Sequence, residues 1–244
     1  MGLGPRTVAI GCYQDGLNGV EGHGVTVVVD VIRATTTAVT AVAAGRRCFP
    51  VTSLEAAMEL AERLDDPLLV GELGGNMPYG FDLTNSPAQI VGRTDLARPM
   101  ILLSTSGTQL MCAASGSVYV ACLRNYGALV RHLARAAANV AVIGAGARGE
   151  FREEDALCCA WVTAGLLDAG FEAADERTAE IVEGWVDRPV DSVLDGKSSA
   201  YLRATGQLHD LEFILSHVDD LDSVFALRKG EIVIERNEAS VARG

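Results

Sequence analysis

Short, continuously apolar segments alternate with helical segments along most of the chain, and this alternation restricts the fold more than any other feature. A run without polar alternation, such as VTVVVD at 25–30, is typical of a strand that helices cover on both faces. The predicted strands are 7–11, 25–30, 47–51, 68–71, 100–104, 118–122 and 140–144. The predicted helices lie near 35–44, 53–64, 87–92, 108–115, 126–138 and 153–169. Repeated strand–helix units predict a layered α/β/α fold with a largely parallel sheet.

The regular alternation ends near residue 170. We expect residues 1–236 to form one α/β unit, and a smaller second α/β lobe beginning near residue 145 is the alternative. A terminal pair of strands is expected near 223–227 and 231–235, joined at Lys229-Gly230. The polar residues 237–244 are expected to form a loose tail.

The charge balance and the cysteines restrict the partners and the location. The 244 residues include 20 basic and 32 acidic side chains, a net charge of −12, whereas a nucleic-acid surface needs a basic face. Residues 99–123 carry no charge, but the polar stretch STSGTQ at 104–109 interrupts any membrane span there. The six cysteines form no C-x-x-C pair and the first residues do not resemble a secretory leader. We therefore expect a cytoplasmic protein that binds neither nucleic acid nor a membrane.

Acidic side chains follow several predicted strands, where open α/β sheets bind their ligands. A carboxylate at the end of a buried apolar strand is costly unless it is paired or ligates a cation. The five acidic candidates, which we expect around one cleft at the carboxyl edge of the sheet, are Asp30, Glu72, Asp82, Glu154 and Asp155. Because Mg²⁺ prefers oxygen ligands, we predict a magnesium site whose candidate ligands are Asp30, Glu72, Glu154 and Asp155. The alternative for Glu154 and Asp155 is a favourable interaction with a helix dipole.

Hydroxyl, amide, glycine and arginine residues accompany these acids. Helix N-termini with free N–H groups and hydroxyls bind phosphate-like anions. The candidate substrate-binding residues are Arg33, Thr35, Thr36, Asn85, Ser86, Gly107, Thr108, Asn125 and Arg148. We expect Arg33 and Arg148 to bind anionic groups of a substrate rather than surface acids of the protein. The alternative for the threonines at 35–37 is that they only cap a helix.

A second class of function is suggested by Gly144-x-Gly146-x-x-Gly149, which lies between a predicted strand and a predicted helix as in dinucleotide-binding proteins. A strand ending in an acidic residue should follow that helix, but residues 171–176 are polar and are predicted to be helical. A nicotinamide-dependent oxidoreductase is therefore an alternative function. A non-catalytic anion-binding protein is another.

Several blocks of sequence resemble the 2-phosphosulfolactate phosphatase (ComB) family over about residues 25–160. They are DVIRATTTAVT from Asp30, Gly71-Glu72 leading to GFDL-x-NSP at 80–87, Thr105-x-Gly107-Thr108, Asn125, and Ala145-Gly146 through Phe151 to Glu154-Asp155. Two positions differ from the family pattern. Ser106 stands where an asparagine is expected, and 198–200 lack an expected His-Gly-Arg.

The resemblance implies a Mg²⁺-dependent phosphatase with a ComB-like fold. Its implied substrate is a small anionic phosphate ester, 2-phospho-3-sulfolactate or a related phospho-2-hydroxy acid, and in methanogens such an enzyme serves coenzyme M synthesis. The implied catalytic residues are Asp30, Glu72, Asp82 and Asp155. Attack by an activated water and attack by the Asp30 carboxylate both remain open. A homodimer is the one protein assembly that we consider.

Overall fold

Ten strands and nine α-helices account for most of the residues that the computed structural model describes, which are 6–12, 24–136, 139–147 and 150–235. The strands are β1 (Thr7–Cys12), β2 (Val25–Val29), β3 (Cys48–Val51), β4 (Leu68–Gly71), β5 (Met100–Leu103), β6 (Ser117–Ala121), β7 (Asn139–Gly144), β8 (Glu172–Ala173), β9 (Val224–Arg228) and β10 (Glu231–Glu235). The helices are α1 (Ala34–Ala43), α2 (Leu54–Ala61), α3 (Pro87–Val91), α4 (Gly107–Ala113), α5 (Tyr126–Ala136), α6 (Glu153–Asp168), α7 (Glu176–Trp185), α8 (Lys197–Ala204) and α9 (Leu208–Ser216). A 3-10 helix spans Val190–Asp195.

The strands form one sheet in the order β4-β5-β3-β10-β9-β6-β2-β7-β1-β8. The predicted α/β class with a largely parallel sheet is confirmed, since, among the ten described strands, antiparallel pairing is confined to the pairs made by β9 and β10. This terminal hairpin turns at Lys229 and Gly230, whose φ angles of 51° and 81° suit a tight two-residue turn. Its place in the middle of the sheet, between β3 and β6, was not predicted.

The hairpin reverses the direction of half the sheet. Three successive antiparallel pairs separate β3 from β6, so the block β4-β5-β3 runs opposite to the block β6-β2-β7-β1-β8. The assumption of one common carboxyl edge was therefore wrong. Neighbouring strands of a sheet are rotated by about 20–25° relative to each other. Over the five pairs from β2 to β5 this rotation sums to roughly 100–125°. We therefore expect the strands of the two blocks to cross at a large angle rather than to run in opposite directions.

Helices cover both faces of the sheet, as the apolar strands predict. Val27 and Val29 of β2 belong to a core shared with α5 and α6. Val28, between them, belongs to a second core shared with α1 and α4. Successive side chains of a strand point to opposite faces, which is why an uninterrupted apolar run suits this position.

One sheet contains every described strand, including those after residue 145. We therefore propose that the described residues fold as one unit rather than as two lobes. The predicted tail at 237–244 lies outside the described residues. Within 6–12, 24–136, 139–147 and 150–235, none of the helices combines the length and apolar character that crossing a bilayer requires.

The substitution Gly71→Ala tests the close approach of β4 and β5 directly before Glu72. A Cβ atom at position 71 would lie 2.3 Å from the carbonyl oxygen of Leu103, which accepts the N–H of Glu72. Because this clash is with backbone, we expect the free energy of unfolding in urea to fall by about 1–3 kcal/mol.

The control is Gly184→Ala in α7, where an added Cβ meets nothing within 4 Å. Alanine is the better helix former, so this variant should gain about 0.5–1 kcal/mol. Equal stability of the two variants would contradict the close strand approach.

Candidate active site

A cavity of about 410 Å³ lies where the loops after β2, β4, β5 and β7 meet the first turns of α8. Both blocks of the sheet contribute to it, because β2 and β7 belong to one and β4 and β5 to the other. Its lining residues are Asp30, Ile32, Arg33, Glu72, Gly74, Gly75, Asn85, Thr105, Ser106, Gly146, Ala147, Arg152, Lys197, Ser198, Tyr201 and Leu202.

Asp30 follows β2 directly and is 8% exposed. Its Oδ1 accepts the N–H of Ala34 at 3.1 Å, and the N–H of Gly107 also donates to this carboxylate. Position 107 must be glycine for this contact, since a Cβ there would lie 2.2 Å from Oδ2 of Asp30. The N-termini of α1 and α4 therefore hold one carboxylate between them.

Burial raises the pKa of Asp30 to about 6, because the charged form is poorly solvated there. The negative charge of Glu72 adds to this rise. The N–H donors of Ala34 and Gly107 and the charge of Arg33 oppose it. Asp30 and Glu72 are thus close enough to repel each other across the cavity.

Glu72 is fixed by the loop after β5. Its Oε1 accepts the N–H of Thr105 at 2.7 Å, and its Oε2 accepts the Thr105 hydroxyl at 2.8 Å and the N–H of Gly75 at 2.7 Å. The hydroxyl of Thr105 in turn accepts the N–H of Gly74 at 2.7 Å. The carboxylate keeps a defined position at the cavity wall although it is only partly buried.

Asp155 and Glu154, in the first turn of α6, are buried behind the cavity wall rather than in its lining. Asp155 joins two loops, accepting the N–H of Val31 at 2.8 Å and that of Gly146 at 3.0 Å. Burial raises the pKa of Asp155 well above its usual range and that of Glu154 to about 7, and the charge of Asp30 contributes to both rises. Oε2 of Glu154 is buried without a hydrogen-bond partner among the described residues.

Arg33 lines the cavity, and its acidic partner within the protein is a buried residue rather than a surface acid. Its Nη1 forms an ion pair with Asp210 of α9, which is fully buried, and donates to Gln207 at 2.6 Å. Asp210 also accepts the hydroxyl of Ser86 at 2.5 Å. The ion pair thus ties the loop after β2 to α9 and to the N-cap of α3.

Most of the hydroxyl and amide candidates satisfy local backbone groups instead of facing the cavity. Thr35 donates to the carbonyl of Asp30 and Thr36 to that of Val31, both at 2.7 Å. Thr108 exchanges hydrogen bonds with Ser104. Asn125 bonds the backbone at both ends of its amide, at Cys122 and Val120.

Three further predicted site residues differ from one another in their position relative to the cavity. Asn85 lines the cavity, and its Oδ1 is buried without a hydrogen-bond partner among the described residues. Asp82 is not in the cavity lining, because its Oδ2 accepts the N–H of Leu69 at 2.8 Å and lies 3.5 Å from Arg98. Arg148 lies outside the described residues.

The structure adds cavity residues that motif reasoning missed. Lys197, Ser198 and Tyr201 lie on α8, and Arg152 precedes α6. The segment 198–200 and Ser106 stood out in the sequence only as departures from a family pattern, and both Ser106 and Ser198 line the cavity. No local spacing marks α8 as a wall of the site, since its side chains bond to Glu150 and Gly75, which lie 47 and 126 positions away in the chain.

The four predicted magnesium ligands do not surround one point. Among the described residues, no group of three or more His, Cys, Asp or Glu side chains is placed to hold a metal ion. The four predicted ligands therefore do not form a protein cage, because Glu154 and Asp155 lie behind the wall. Asp30 and Glu72, both in the cavity lining, fit the usual Mg²⁺ arrangement of one or two carboxylates completed by water and phosphate oxygens.

Comparison with known proteins identifies the family. The family model for 2-phosphosulpholactate phosphatase matches residues 14–230. The chain belongs to this family. A "Probable 2-phosphosulfolactate phosphatase" of Symbiobacterium thermophilum is 34% identical over 226 residues, covering 86% of this chain and 89% of that protein. The "2-phosphosulfolactate phosphatase" of Methanothermobacter thermautotrophicus is 29% identical over 198 residues, covering 80% and 83%.

Family membership makes the chain a phosphoric monoester hydrolase by class and disfavours the nicotinamide alternative. Local contacts explain the glycine at position 146 without a dinucleotide. The N–H of Gly146 donates to Asp155, and a Cβ at 146 would lie 2.4 Å from the carbonyl oxygen of Glu150. The predicted helix at 171–176 was wrong in part, because β8 occupies 172–173 and pairs with β1.

The substitution Asp210→Ala tests the buried ion pair. It leaves the guanidinium of Arg33 buried without its carboxylate, which typically costs about 3–5 kcal/mol. We expect urea unfolding to show a loss of that size.

The control is Asp222→Ala, which removes an exposed ion pair with Arg131 and should change stability by less than about 1 kcal/mol. Similar losses in the two variants would contradict the structural role of Asp210.

Proposed function

We propose that the chain hydrolyses the phosphate ester of 2-phospho-3-sulfolactate, or of a related phospho-2-hydroxy acid, to the hydroxy acid and inorganic phosphate. The observation that carries this proposal is a buried Asp30 carboxylate facing the cavity, held by two helix N-termini, in a chain of the phosphatase family. Ser106 and Ser198, in the cavity lining, are the reason for including related phospho-2-hydroxy acids.

A magnesium ion fits this proposal, with Asp30 and Glu72 as the residues that would hold it. Bound there, Mg²⁺ would neutralise part of the negative charge of the phosphoryl group. The Glu72 carboxylate is held in that position by hydrogen bonds from the N–H groups of Thr105 and Gly75. We assign supporting roles to Glu154 and Asp155. Asp155 fixes the backbone directly after Asp30 and that of the neighbouring loop at Gly146, and Glu154 is buried beside Asp155 in the first turn of α6.

Asp30 is our candidate nucleophile. Its carboxylate oxygen attacks phosphorus, and the bond between phosphorus and the substrate's C2 oxygen breaks, with its electron pair going to that oxygen, which takes a proton from solvent. Water then hydrolyses the acyl phosphate, which releases inorganic phosphate and restores the carboxylate. Positioning and charge neutralisation dominate such phosphoryl transfers, and the donors from Ala34 and Gly107 fix the attacking group.

Release of inorganic phosphate from a panel of phospho-2-hydroxy acids tests the activity. We expect release in the presence of Mg²⁺, loss of release in excess EDTA, and recovery when Mg²⁺ is restored in excess. The largest kcat/KM within the panel identifies the substrate. A folded protein that binds these esters but releases phosphate from none of them would support the non-catalytic alternative instead.

Asp30→Asn tests the nucleophile. Loss of a catalytic carboxylate typically lowers kcat by several powers of ten, and we expect this loss with little change in the unfolding transition. The control is Asp222→Asn, at an exposed ion pair, which should keep the parental kcat.

A single turnover in H₂¹⁸O distinguishes attack on phosphorus by Asp30 from direct attack by water. Hydrolysis of an acyl phosphate at its carbonyl carbon places ¹⁸O in the Asp30 carboxylate, and hydrolysis at phosphorus is detected by trapping the phosphoryl-aspartate. Label in phosphate together with no trapped intermediate would show direct attack by water, with Asp30 as its base.

A further inference from the structure

Arg152 is a largely buried cation that the described part of the protein leaves without strong partners. Its side chain is 13% exposed, and Nε and Nη1 are buried with no hydrogen-bond partner in the described residues. Nη2 is 3.4 Å from the carbonyl oxygen of Ala147, a long contact. The nearest carboxylate oxygen that pairs with it, Oε2 of Glu150, is 3.6 Å from Nη1, which is beyond a normal hydrogen bond.

The other two cations of the cavity are engaged. Arg33 donates to Asp210 and Gln207. Lys197 forms a close ion pair with Glu150, the same carboxylate that stays farther from Arg152. Of the three cationic side chains in the described cavity lining, Arg152 therefore has the largest unused capacity to donate hydrogen bonds.

An unsatisfied buried donor costs about 1–3 kcal/mol, and more when it is charged. A ligand oxyanion in the cavity would remove that cost, and a guanidinium is well suited to sulfonate, carboxylate or phosphate oxygens. Arg152 belongs to the loop after β7 and faces the α8 side of the cavity, where Lys197 and Ser198 also lie. Glu72 reaches the cavity from the other block of the sheet.

We propose that Arg152 binds the non-reacting anionic group of the substrate, a sulfonate or carboxylate, while the phosphoryl group lies at Asp30 and Glu72. This inference rests on the proposed function and adds a specificity residue to it. It also transfers to Arg152 the role that the sequence assigned to Arg148. Arg152 acts on the part of the substrate that does not react, so it should affect KM more than kcat.

The test compares Arg152→Ala with the parent enzyme on three esters. 2-Phospho-3-sulfolactate carries a sulfonate and a carboxylate, 2-phospholactate carries only the carboxylate, and isopropyl phosphate carries neither. We expect kcat/KM for the first to fall roughly 10–100-fold, mainly through KM, from the loss of charge-assisted hydrogen bonds. The loss on isopropyl phosphate should be less than about threefold. A loss on 2-phospholactate as large as that on 2-phospho-3-sulfolactate assigns Arg152 to the carboxylate, and a smaller one assigns it to the sulfonate.

Equal losses on all three esters would overturn the proposal, because they would place Arg152 at the phosphoryl group or in the fold. No loss on any ester would overturn it as well. Arg131→Ala, at an exposed ion pair, is the matched control and should behave as the parent. If the alanine variant does not fold, Arg152→Gln removes the charge in its place, and Arg152→Lys shows how much of the loss a positive charge alone restores. Thermal unfolding checks that both variants are folded.

Calorimetric binding separates this proposal from the proposed function. If the parent protein releases no phosphate, titration with 2-phospho-3-sulfolactate and with isopropyl phosphate still tests the subsite. Tighter binding of the first ester that disappears in Arg152→Ala would support the subsite although the phosphatase proposal had failed. Equal affinities of the parent and the variant for both esters would overturn the subsite alone.

Discussion

The carboxylate of Asp155 joins the loops that leave two neighbouring strands, β2 and β7, and the rest of the site depends on that contact. Its two oxygens accept the N–H groups of Val31 and Gly146, so the backbone directly after Asp30 is fixed by a residue far along the chain. The contact buries a third carboxylate near Asp30 and Glu154, and burial raises the pKa of all three. The charge of Asp30 adds to the pKa rises of Glu154 and Asp155, and the charge of Glu72 adds to the rise of Asp30. Such a concentration of negative charge is stabilised by a proton or a cation.

The cavity combines this negative region with cationic side chains in a protein of net charge −12. Arg33, Arg152 and Lys197 all line it, but they are not equivalent. Arg33 and Lys197 have short contacts to Asp210 and Glu150, whereas the contacts of Arg152 are long. Recognition of a small anion therefore depends on local distribution of charge, which the total charge of the chain does not reveal.

The last third of the chain completes a site that the first two thirds begin. The hairpin of β9 and β10 reverses the direction of half the sheet, and the loops that follow β2 and β5 nevertheless line the same cavity. Helix α8 supplies a wall of the cavity, and α9 supplies the partner of Arg33. Ser106 and Ser198, where the sequence departs from the family pattern, lie in the lining of the cavity.

The sequence by itself determined the features that local patterns encode. Uninterrupted apolar runs specify strands covered on both faces, and Asp30 at the end of such a run is expensive to bury without a function. The hairpin turn at Lys229 and Gly230 was also predictable, because a two-residue turn needs positive φ and glycine adopts it without steric cost. The family blocks from Asp30 to Asp155 identified the chemical class that the comparisons confirm.

Only the tertiary structure decided which charges meet. Arg33 pairs with Asp210 across 177 positions of sequence, and no spacing rule links two residues so far apart. Asp82, which shares a sequence block with Asn85, is held outside the cavity by Leu69 and Arg98, and Arg152 faces the cavity without a motif to mark it. The physical reason is that solvation and pairing of a charge depend on what packs around it, and that environment is assembled by long-range contacts.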